Sequence, residues 1–126
     1  MSHLTYMKTS LQRLTYLEKA LKKLKISYNR KQLEQSQTPE VGQIYLTIPQ
    51  SNSYDLEFAW DGKNYELVVD LSFWAQAYPV DTFLEKVTQQ YAVESLVGES
   101  QKLGFQVIES EQSVEGVTTL RLERWN

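Results

Sequence analysis

Leucines recur at positions 11, 14, 17, 21 and 24. Steps of three and four place all five on one stripe of a helix covering roughly residues 10–25, with Ser10 as the expected N-cap. A coiled coil needs about three or four heptads, so this shorter stripe is expected to pack on a sheet. Ahead of it, residues 3–8 alternate loosely and predict a first strand. Behind it, Ile26–Tyr28 reads as a short strand, and a polar, Gln-rich loop follows near residues 30–42. Ile44, Leu46 and Ile48 alternate with Tyr45 and Thr47, which predicts a strand stopped by Pro49.

The clearest pattern is the block Tyr54–Trp74, YDLEFAWDGKNYELVVDLSFW. Two alternating runs flank Asp61-Gly62, a favoured two-residue hairpin loop because both positions tolerate positive φ. That register pairs Trp60 with Lys63, Phe58 with Tyr65 and Leu56 with Leu67 on an apolar face. The other face then carries Asp55, Glu57, Glu66 and Asp70, with Glu57 directly opposite Glu66. Like charges so placed are destabilising.

A second helix is predicted after Tyr78-Pro79, capped by Asp81 or Thr82, with Glu85 in capping-box spacing to Thr82. Val80, Phe83, Leu84, Val87, Tyr91 and Leu96 form its expected buried side. Gly98 costs about 1 kcal/mol inside a helix relative to alanine and marks a kink or a close helix–sheet contact. Gly104 is placed as the left-handed cap that ends the helix. Strands near 105–110 and 117–124 flank a turn at Glu115-Gly116, and Trp125 anchors the last one. The order implies a single α+β domain over residues 1–126: an antiparallel sheet with two main helices packed on it.

Composition narrows the function classes. At 126 residues, 41% of them apolar, the chain suits one packed core. No apolar stretch is long enough to span a bilayer, and MSHLTYMKTS lacks the order of a secretion signal, so a soluble, non-exported protein is expected. The absence of cysteine excludes disulfides, thiolate metal sites and cysteine nucleophiles. The net charge of −3 is polarised: residues 1–33 hold eight basic residues and one acidic residue. The first helix is therefore basic and the remainder acidic, which suits either an oriented partner or complementarity between helix and sheet.

Candidate chemistry is sparse. The four carboxylates of the central hairpin admit three readings: charges solvated or paired by a base such as Arg121 or Arg124, a divalent cation site, or a proton-sharing catalytic pair. His3 is the only histidine, and loss of Met1 ahead of the small Ser2 would place it second, which spoils an amino-terminal copper site. No Gly-rich phosphate loop or histidine-based metal spacing is present, so neither a cofactor nor a catalytic residue is assigned. The basic run Lys19–Lys31 could touch phosphates, and Lys19, Lys22 and Lys23 could meet a protein partner, but a solvated helix face is the favoured reading. The acidic balance and the lack of an aromatic nucleic-acid motif count against phosphates. Phe73, Trp74 and Tyr78 read either as a partner-binding patch or as rings closing the core above the second helix.

Taken together, MSHLTYMKTSLQ, DLEFAWDGKNYELVVDLSFW, FLEKVTQQYAVES and RLERWN resemble the hypothetical chloroplast reading frame thirty-five family of cyanobacteria and algal plastids. The resemblance spans nearly the whole chain apart from the Gln-rich stretch. It implies a protein of unknown function in the cytosol or stroma of a photosynthetic cell. Together with the missing catalytic constellation, it favours a non-enzymatic binding, assembly or regulatory factor. A cation-binding or enzymatic domain built on the hairpin carboxylates and a nucleic-acid binder acting through the first helix are the alternatives.

Overall fold

A computed structural model describes residues 3–32, 44–113 and 117–124. Five strands form one antiparallel sheet: β1 (Leu4–Met7), β2 (Asn29–Gln32), β3 (Ile44–Ile48), β4 (Leu56–Trp60) and β5 (Tyr65–Asp70), in the spatial order β1-β5-β4-β3-β2. Helices α1 (Leu14–Lys23) and α2 (Val80–Lys102) share one core with a single face of that sheet. Strands β6 (Phe105–Gln112) and β7 (Thr118–Arg124) form a separate two-stranded ribbon after α2. The fold is thus α+β, as the pattern predicted. The Glu115-Gly116 turn, Trp125 and the loop after Gln32 lie outside the described residues, and β2 takes the first positions assigned to that loop.

The core is the alternation made solid. Leu46 and Ile48 from β3, Leu56 and Phe58 from β4, and Tyr65, Leu67 and Val69 from β5 are all buried. Leu11, Leu17 and Leu21 meet them from the leucine stripe, and Phe83 and Val87 from α2. Tyr16 and Ala20 are buried as well, because α1 has a second covered side that faces α2. The expected stripe on α2 stops short of Leu96, which is 49% exposed.

Three local expectations fail for identifiable reasons. Ser10 does not cap α1: Thr9 Oγ1 donates to the Tyr65 carbonyl, and the Tyr65 amide donates to Leu11 O at 2.7 Å, holding this stretch along the sheet. The helix begins later, after Arg13, and the Gln12 and Arg13 amides donate to Tyr91 Oη instead. Neither Asp81 nor Thr82 caps α2, whose N-cap is Pro79 without a side-chain hydrogen bond. Ile26–Tyr28 is not a strand, because the end of α1 needs those residues. Ile26 N donates to Leu21 O and Lys25 N to Lys22 O, a Schellman closure with Lys25 left-handed at φ 60°.

A lysine in that conformation carries a steric cost that glycine avoids. Lys25→Gly is therefore expected to raise stability by about 0.5–1 kcal/mol, after subtracting glycine's greater unfolded freedom. Denaturant unfolding would show it, and a lower midpoint at unchanged slope would refute it. Gly104, with φ 88°, plays the same part after α2, as its sequence position predicted.

Candidate functional site

The Asp-Gly loop of the central hairpin is longer than expected, and this corrects the register. Asp61 Oδ1 accepts the amides of Lys63 and Asn64, both at 2.8 Å, and Asp61 N donates to Asn64 O. This aspartate turn consumes four residues, so Trp60 pairs with Tyr65, Phe58 with Leu67 and Glu57 with Val68. A two-residue shift preserves the faces, because side chains alternate with period two. It removes the Glu57–Glu66 opposition: Glu66 lies across from Ala59.

The four carboxylates consequently do separate work. Lys8 Nζ reaches Glu66 at 2.8 Å and Asp61 at 3.3 Å, the compensation sought from Arg121 or Arg124. Arg121 pairs instead with Glu109, and Arg124 lies over the Phe105 ring. Glu66 first and then Asp61 hold the Lys8 ammonium above its ordinary range. The Asn64 and Lys63 amides, followed by Lys8, hold Asp61 below its own. Asp55 Oδ1 accepts the Gln50 amide, while Asp70 Oδ1 accepts the Ser72 amide and caps a 3-10 turn at Leu71–Phe73. Asp70 Oδ2 is buried without a partner. Among the described residues no three His, Cys, Asp or Glu side chains are grouped to hold a metal ion.

The Glu57 carboxyl is raised above its ordinary pKa, and its burial on β4 between Thr47 and Val68 is the cause. A carboxyl raised on folding stabilises below its unfolded pKa and loses that contribution as pH rises through the folded value. At pH 7 its charge is thus a cost, screened by water over its exposed part. Glu57→Gln is expected to stabilise the fold by a few tenths of a kcal/mol at pH 7, and by less near pH 4. A melt that falls at pH 7 would contradict this.

The aromatic segment after β5 divides. Phe73 stacks on Tyr54 with ring centroids 3.7 Å apart and planes 3° from parallel. Trp74 meets Phe83 edge-on at 5.3 Å, and its Nε1 donates to Tyr78 O at 2.6 Å. Trp74 packs against the core, whereas Phe73 covers the exposed Tyr54. Tyr78 is 46% exposed and lines a cavity of about 150 Å³ with Leu24 and Ile26 from the end of α1, Gln76, and Phe83 and Lys86 from α2. Lys86 Nζ lies 4.8 Å from the Tyr78 ring centroid. The exposed Lys22, Lys23 and Lys25 occupy the last turn of α1 and the residue after it, beside Leu24.

Lys19 belongs elsewhere. It lines a broader depression between the helices with Arg13 and Lys102, its Nζ 5.9 Å from the Tyr16 ring centroid. Arg13 and Lys102 both pair with Glu99, at 3.0 and 3.6 Å. Of the six partner-binding candidates, Tyr78 lines the cavity at the end of α1, Lys22 and Lys23 precede its wall residue Leu24 in the chain without lining it, and Phe73, Trp74 and Lys19 lie outside it.

Sequence reasoning missed Gln50 and Lys86. Gln50 is buried and ties the segment in place: Nε2 donates to the Tyr54 and Phe73 carbonyls, and Oε1 accepts from Ala75 N at 2.8 Å and Gln76 Nε2 at 3.0 Å. Nothing in a Pro-Gln-Ser stretch signals that role. Lys86 was legible in principle, one turn beyond Phe83 on a predicted helix.

A family model described as "Protein of unknown function (DUF1257)" matches residues 20–121. The chain belongs to this family. It is 43% identical to "Uncharacterized protein ycf35" of Trieres chinensis over 94% of both chains. It is 36% identical to the protein of the same name from Guillardia theta, over 99% of this chain and 98% of that one. Its counterpart in Pyropia yezoensis is 33% identical, over 100% and 99%. These alignments extend over nearly the whole of each chain. No solved structure matches the chain. No helix among the described residues is long and apolar enough to cross a membrane.

Proposed function

We infer that this DUF1257 protein is a non-enzymatic binding or assembly factor, working in the cytosol or plastid stroma of a photosynthetic cell. It takes a protein partner at the end of α1, through an apolar side chain flanked by acidic groups. The cavity beside Tyr78 carries this reading. Pockets for small ligands usually enclose about 300–1,000 Å³, and a space of about 150 Å³ holds one side chain. Its floor is Leu24, Ile26 and Phe83, and its rim is the half-exposed Tyr78 with Lys86 above the ring. Lys22, Lys23 and Lys25 extend the positive charge along α1. An aromatic anchor within a desolvated pocket is a common centre of binding energy, and charge around it steers the choice of partner.

Selection of displayed peptides on the full chain tests this. Enriched sequences are expected to place Leu, Ile or Phe next to Asp or Glu. Lys86→Glu is a surface change expected to leave the melt within about 0.5 kcal/mol of the parent. It should weaken those peptides about tenfold or more and move enrichment toward basic flanks. Identical peptides recovered on the parent and on Lys86→Glu would refute the site.

A further inference from the structure

We propose that the β6–β7 ribbon is a self-association device: β7 pairs antiparallel with β7 of a second copy, giving a four-stranded sheet β6-β7-β7-β6 across a two-fold axis. An isolated two-stranded hairpin is at best marginally stable in water and normally gains a third strand or a helix. Here α2 packs against β6, whereas β7 has no strand on its other edge among the described residues. Leu120 and Leu122 are only partly covered on one face of β7, and Ile108 at the β6 irregularity is 48% exposed.

The charge pattern names the occupant. Place the two-fold axis through Leu122 and the two strands run antiparallel with Leu122 against its own copy. Arg121 of each copy then faces Glu123 of the other, twice by symmetry, and Leu120 faces the alkyl stem of Arg124. Opposite charges directly across an antiparallel pair are favourable, and like charges are not. An axis through Arg121 would instead set that arginine against itself, and one through Leu120 would set Arg121 and Glu123 against the uncharged Thr119 and Val117, so the Leu122 axis is the register that pairs opposite charges. The other edges lack this property. Self-pairing of β2 about Arg30 or about Lys31 sets that residue against its own copy, and β6 carries only acidic charges, so no register of it pairs opposite ones. Such like-charged edges resist pairing. Strand β1, Leu4–Met7, has no charge to choose a register. Among the edge strands of the described residues only β7 complements itself in charge, and a two-fold contact requires self-complementarity.

Sedimentation and light scattering on the full chain over a concentration series test the proposal. The parent is expected to be dimeric. Arg121→Glu sets acid against Glu123 of the other copy at both symmetric positions, and Glu123→Arg sets base against Arg121. Each alone should weaken the dimer by about tenfold or more. Mixing the two variants in equal amounts re-creates opposite pairs at both positions and should restore a dimer carrying one of each. The double variant should dimerise by itself. Because recovery on mixing requires folded chains, it separates lost pairing from lost folding. Circular dichroism of each variant supplies the same control where mixing fails. A parent that stays monomeric overturns the proposal, as do folded single variants that dimerise like the parent or folded variants that remain monomeric when mixed.

Discussion

Gln50→Ala is expected to cost about 2–4 kcal/mol of folding stability and to loosen the proposed partner site with it. The glutamine is 9% exposed and uses both ends of its amide. Its nitrogen satisfies the Tyr54 and Phe73 carbonyls, and its oxygen satisfies the Ala75 amide and the Gln76 side chain. Alanine leaves Tyr54 O and Ala75 N without those partners, each at roughly 1–3 kcal/mol when water cannot replace them. Phe73 O is spared because Asn52 Nδ2 also donates to it, at 2.8 Å. These bonds fasten residues 73–76 to the β3–β4 connection, and Gln76 and Tyr78 line the cavity. Gln50→Glu is the informative companion: the carboxylate can accept from Ala75 N but cannot donate to two carbonyls. It should be destabilised comparably despite its near-identical shape. Denaturant melts of both variants decide the matter, and a loss under about 1 kcal/mol for Gln50→Ala would show that water substitutes for the side chain.

The contrast between Gln50 and the leucine stripe shows how far the sequence could be read. The stripe, the alternating strands and Gly104 are periodic or conformational signals, and each reappears in the structure. Faces were legible for the same reason: the hairpin register slipped by two residues, yet Glu57 and Glu66 stayed on one face of the sheet. What was not legible depends on single polar atoms meeting across long separations. Tyr91 Oη replaces a cap at the start of α1, Lys8 neutralises Glu66, and Asp61 lengthens its own turn by accepting two amides. None of these choices leaves a period in the chain. Of the cavity's lining, the partner-site candidates read from the sequence included Tyr78. The floor at Leu24 and Ile26 was hidden by the left-handed Lys25, which turns an expected strand into a helix closure.

Gly98→Ala should destabilise the protein by about 1–2 kcal/mol, against the rule that alanine improves a helix. In an open helix the exchange gains about 1 kcal/mol. Here an added Cβ would sit 2.6 Å from both Tyr16 Cε1 and Oη and 2.9 Å from Cζ, well inside contact distance. The close approach expected of this glycine therefore exists, but between the two helices and not between helix and sheet. The ring has little freedom to retreat. Tyr16 is 5% exposed, packs edge-on to Tyr91 at 6.2 Å, and donates through Oη to Glu99 at 3.3 Å. Overpacking of this kind costs about 1–3 kcal/mol, and the helix gain offsets only part of it. The displacement would also be felt where Tyr91 Oη receives the Gln12 and Arg13 amides at the start of α1. Combining Gly98→Ala with Tyr16→Leu removes the ring that collides. The Gly98→Ala cost should then shrink or change sign relative to Tyr16→Leu alone, giving a coupling of about 1 kcal/mol or more in a double-mutant cycle. Costs that simply add would mean that Tyr16 and Gly98 do not set the distance between the helices.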